Sequence, residues 1–125
     1  TSLPASLARF GYTVMNDVIY VAAGYLAGAD QNEVHVGTVS AGTITWNTHT
    51  DVFPLMPGLD IALGGYPHYP ALIVYNSKLL LLGGYNYTGA TSGIYESANG
   101  SSWSAVSGAA LPAARGNGGA FTFTQ

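Results

Sequence analysis

The alternation of apolar and polar positions divides the chain into short strand-like segments separated by turn chemistry. "YTVMNDVIYVAAGY" holds two such segments around Asn16-Asp17, and "ALIVYNSKLLLLGGY" holds two more around Asn76-Ser77. "NEVHVGTVSAGTITWN" and "SGIYESANGSSWSAV" each add a further pair, turning at Ala41-Gly42 and at Asn99-Gly100. Asn, Asp and Gly tolerate the left-handed backbone of a tight hairpin, and Asn-Gly is its strongest short signal. No window of about 12 residues shows the three-four apolar spacing of an amphipathic helix. The run Leu79 to Leu82 is too short for a helix and stops at Gly83-Gly84. It therefore predicts a strand with apolar residues on both faces, as when sheets pack on either side. A hairpin of an ordinary β-sandwich is the alternative.

The segments repeat. Asn16 aligns with Asn76 and Gly24-Tyr25 with Gly84-Tyr85, an offset of 60 (84 − 24), while Trp46 aligns with Trp103, an offset of 57 (103 − 46). "LPAARGNGGAFTFTQ" repeats the opening "LPASLARFGYTV" and reaches only a first strand, in which Phe121 and Phe123 alternate with threonines. The reading is two four-stranded units, residues 1–53 and 54–110, followed by 111–125 as the first strand of a further unit or a closing strand.

A strand, a turn, an apolar strand ending in a glycine pair and an aromatic, a strand pair closing on Trp, and then "LP…AR" resemble the kelch repeat. The likeness is closest to the bacterial blades related to the galactose-oxidase central domain, and it spans nearly the whole chain. Its sharpest elements are Gly83-Gly84-Tyr85, Trp103, and Pro112 with Arg115. The first unit departs from it with Ala23-Gly24, and the second with the long lead-in "PGLDIALGGYPHYP". "ESANGSSW" resembles the aspartate box of sialidase propellers, but Asn99 stands where Asp is expected and one residue is missing. The resemblance implies an all-β fold of β-propeller blades: two four-stranded antiparallel kelch-like blades plus one extra strand. It also implies structural roles for Gly24, Trp46, Gly83, Gly84 and Trp103, and for Arg9 and Arg115 in bridging strands. Two blades leave apolar faces uncovered, and a ring needs about four to eight. Other copies of the chain or missing chain are expected to complete it; three copies would give six blades.

Composition narrows the function. Apolar residues make up 48% of the 125, yet only 7% are charged, against about 25% in ordinary domains. Ser, Thr, Asn, Gly and Tyr must therefore meet solvent, which suits an extracellular, cell-surface or virion-surface protein. A chain opening at Thr1 is expected to be processed or to belong to a longer one. Three Lys and Arg with a net charge of −3 argue against nucleic acid and against an electrostatic grip on membranes. No apolar run approaches the length of about 18 residues that inserts into a bilayer. The absence of Cys removes thiolate chemistry, sulfur-ligated metals and the cysteine-modified tyrosine of galactose-oxidase chemistry. His35, His49 and His68 lack metal-type spacing, and the six acids are scattered singly. No cofactor, metal or catalytic residue is expected.

What remains is tyrosine-rich loops. Tyr25 and Asp30 in "GYLAGADQNE", Tyr66, His68 and Tyr69 in "GGYPHYP", and Tyr85 and Tyr87 in "GYNYTGATSG" are the candidate ligand-binding residues. Flat rings and adaptable polar groups suit glycans or proteins and cost little order. The reading is a non-catalytic structural or binding module that forms homo-oligomers or joins further blades. A fragment of a larger propeller enzyme and an oligomeric propeller lectin are the alternatives.

Overall fold

The computed structural model describes residues 2–50, 52, 69–86, 89–117, 119 and 120. Among them the protein is all-β, with two four-stranded antiparallel sheets and no helix. The first sheet comprises β1 (Gly11–Met15), β2 (Val18–Ala22), β5 (Glu33–Ser40) and β6 (Thr43–Thr50), paired in that order. The second comprises β7 (Ala71–Tyr75), β8 (Lys78–Leu82), β11 (Ile94–Ser97) and β12 (Ser104–Ala105), again in chain order.

Three of the four expected hairpin turns form as two-residue turns. Asn16 and Asp17 both take positive φ, 53° and 61°, as do Asn76 and Ser77 at 49° and 58° and Ala41 and Gly42 at 48° and 77°. Such pairs match the twist of the strands they join. The Asn99-Gly100 turn differs, because β11 ends at Ser97 and β12 starts only at Ser104. Side chains take the backbone donors that a tight turn would use. Ser97 Oγ accepts from the amide of Gly100 at 2.8 Å, and Asn99 Oδ1 accepts from those of Ser101 and Ser102 at 3.0 and 3.2 Å. Trp103 Nε1 closes the loop by donating to the Gly100 carbonyl at 2.9 Å.

The loops between the second and third strands of each sheet carry small hairpins of their own. These are β3 (Tyr25–Leu26) with β4 (Ala29–Asp30), and β9 (Tyr85–Asn86) with β10 (Gly89–Ala90). The backbone bonds that brace them recur at the same offset. The Ala23 amide donates to Glu33, as Gly83 does to Gly93, and Gln31 donates to Gly24, as Thr91 does to Gly84. Ala23 takes φ 57° where Gly83 takes 62°. The alanine that breaks the motif therefore carries the left-handed strain that glycine would relieve.

The two sheets stack face to face around one core. Met15, Tyr20, Ala22 and Val34 of the first sheet pack with Leu72, Leu79, Leu81 and Tyr95 of the second. The approach is close at both ends: a Cβ on Gly100 would lie 2.7 Å from the Tyr20 ring, and one on Gly11 would lie 3.0 Å from Leu72 Cβ. The registers show which faces meet. In the first sheet Tyr20 stands opposite Thr13 and Val36, and Ala22 opposite Gly11 and Val34, all on the core side. In the second, Leu81 stands opposite Leu72 and Tyr95, and Leu79 opposite Val74 and Ser97. Shifted by 60, Leu79 and Leu81 correspond to Ile19 and Val21, which lie on the other side of the first sheet from Tyr20 and Ala22. The sheets therefore bury opposite faces of the same repeat and stack front to back.

Candidate binding site

Arg9 and Tyr69 precede the first strands of the two sheets, and Asn117 follows the second sheet. Arg9, Tyr69 and Asn117 take nearly the same left-handed φ, 60°, 57° and 56°. The Tyr69 amide donates to the Arg9 carbonyl at 2.6 Å, and the Asn117 amide donates to the Tyr69 carbonyl at 3.2 Å. The three segments thus form a short ladder running in one direction.

This ladder gathers several of the expected residues. The Arg9 guanidinium carbon sits 4.8 Å from the centre of the Tyr25 ring and 5.1 Å from that of the Tyr69 ring. A cation over two aromatic faces is worth roughly 0.5–1 kcal/mol per contact at an exposed site. Tyr25 is itself held by paired backbone bonds with Ala8 at 2.8 and 3.0 Å. Tyr85 sets its ring against the backbone of Gly116, the residue before Asn117. Beside the ladder, a groove of about 680 Å³ opens between β1 and β7, lined by residues 10–14 and 69–74 with Asn117, Gly119 and Ala120 at one end.

Other expected residues fall elsewhere. Asp30 pairs with Tyr25 through the backbone of β3 and β4. Tyr66, His68 and Tyr87 lie outside the described residues, as do Phe121 and Phe123. Trp103 belongs to the core, whereas Trp46 lies over Gly37 on the face of the first sheet that points away from it. Gly24 is approached by the Ala8 carbonyl and Gly83 by that of Arg115. Arg9 and Arg115 bridge segments differently. Arg9 uses its side chain on two rings, while Arg115 uses its backbone, receiving the Gly84 amide at 2.7 Å and donating to Thr91 at 3.0 Å. Composition and local pattern do not announce the pairing of Arg9 with Tyr69, although the offset of 60 between them (69 − 9) carries the signal.

The chain matches no protein-family model and no curated protein sequence.

His35 is the one buried imidazole among the described residues, 1% exposed on the outward face of the first sheet. Its Nδ1 shares a 2.9 Å hydrogen bond with Thr48 Oγ1, and its Nε2 stands 3.5 Å from Glu33 Oε2. Burial lowers its pKa below the ordinary 6.5, and the Glu33 carboxylate opposes that shift without reversing it. The folded state thus disfavours the protonated ring, so its contribution to stability is complete above about pH 6.5 and declines as pH falls below that value. Denaturation midpoints measured down this range should fall for the native chain and flatten for His35→Gln. Parallel curves for the two proteins would refute this assignment.

Proposed function

We propose that the chain is a pair of kelch-like propeller blades acting as a non-catalytic interaction module, outside the cell or on a virion surface. The observation that carries this reading is the Arg9–Tyr25–Tyr69 cluster beside the groove between β1 and β7. Tyr69 is 36% exposed while Arg9 and the ladder hold its position. A pre-positioned aromatic loses little entropy when a ligand stacks on it, which favours recognition of a sugar ring or a protein loop. The recurring backbone bonds at an offset of 60 support the blade reading.

A glycan array probed with the native chain and with Tyr69→Ala tests it. Binding should weaken by about tenfold or more in the variant, as expected when an aromatic anchor is removed. Absence of any bound glycan would leave protein as the ligand class. Conversion of a bound glycan into products would overturn the non-catalytic reading.

A further inference from the structure

Each sheet has one face in the core, and the opposite faces are largely apolar, although that of the first sheet also holds the buried Val21 and the buried His35 with Glu33. On the first sheet, Tyr12, Val14 and Val39 are exposed on that side, beside Ile19 and Ile44. On the second, Ile73, Leu80, Leu82 and Ile94 share the uncovered side with the exposed Tyr75. The repeat relates these open faces to the two that already fit together. Tyr12, Val14, Ile19 and Val21 occupy the places of Leu72, Val74, Leu79 and Leu81, which the core buries or half-buries. Ile73, Tyr75, Leu80 and Leu82 occupy the places of Thr13, Met15, Tyr20 and Ala22.

We infer that a second copy of this chain covers them, head to tail, with the open face of one copy's second sheet on the open face of the next copy's first sheet. A partner of unrelated sequence would have to match both faces independently, whereas the chain's own repeat supplies the matching pair. The ladder repeats the same step: Asn117 joins Tyr69 as Tyr69 joins Arg9. The charged groups on the open side of the second sheet, Lys78 and Glu96, neutralise each other across 2.9 Å, so the face presents little net charge to an apolar partner. Because unlike faces meet, the contact is heterologous and closes into a ring or continues as a filament, and a two-fold dimer is not expected.

The inference deepens the interaction-module reading, but mass alone decides it, so its failure leaves the glycan test standing. Val14→Lys places a charge on one open face and Tyr75→Lys on the other, both at exposed positions. The native chain should assemble in light scattering as its concentration rises. Each variant alone should lose self-association by about tenfold or more. An equimolar mixture should form a one-to-one heterodimer, because each variant keeps the face that the other lacks. A native chain that stays monomeric, or a single variant that still dimerises by itself, overturns the inference. Circular dichroism confirms that each variant keeps its strands, and Val14→Thr with Tyr75→Thr replaces any Lys variant that does not fold.

Discussion

Leu81→Ala should lower the unfolding free energy by about 3 kcal/mol, within the roughly 2–5 kcal/mol range of buried leucine truncations. Leu81 is 1% exposed and lies opposite both Leu72 and Tyr95, at the centre of the surface where the two sheets meet. Deleting its side chain removes contacts from both sheets at once, and β8, which carries it, is held between β7 and β11 too firmly to collapse into the gap. The neighbouring Leu80→Ala supplies the contrast. Leu80 points to the open side of the same strand, is only half-buried, and should cost about half as much or less in the monomer. Denaturant titrations of the two variants measure the difference. Equal losses would mean that the core does not lie between these faces.

Gly83→Ala should cost about 2 kcal/mol or more, and the loss should be localised. Its φ of 62° is unfavourable for a side chain, by roughly 1–2 kcal/mol. Ala23 nevertheless accepts φ 57° at the matching point of the first unit, so conformation alone is tolerated there. The larger cost at Gly83 is steric, because a Cβ would run into the Arg115 carbonyl and crowd Leu111. That carbonyl accepts the Gly84 amide, so the segment 111–115 should detach from the sheet. Trypsin cleavage after Arg115 should quicken in the variant. Ala23→Gly, made in parallel, should be neutral or stabilising, since it relieves the same φ without a new contact. Slower or unchanged cleavage in Gly83→Ala would refute the packing described for this segment.

Both predictions depend on features of different visibility. The turns at Asn16-Asp17 and Asn76-Ser77 were legible because the residues that favour left-handed backbone sit between apolar runs. The repeat was legible because its backbone bonds and its sequence share the offset of 60. The small β3–β4 and β9–β10 hairpins were not, since strands of two residues have no period to detect. The Asn99-Gly100 dipeptide by itself favours a tight turn. Ser97 and Asn99 instead draw the amides into a wider loop, which seats Gly100 against the Tyr20 ring. The Arg9–Tyr69 contact joins residues far apart in the chain, and only a folded repeat brings them side by side.

By itself, the order of residues determined that this chain forms short antiparallel strands, where most of them turn, and that they come in two like sets. Period-two alternation and turn chemistry are local properties, expressed within a few residues of where they are written. Which face of each sheet is covered was decided only by the tertiary structure. Both β2 and β8 are apolar on both sides, so alternation could not choose between Tyr20 and Val21, or between Leu80 and Leu81. Stacking made the choice, front against back, because the two sheets must offer each other complementary surfaces, and those are opposite sides of one repeat.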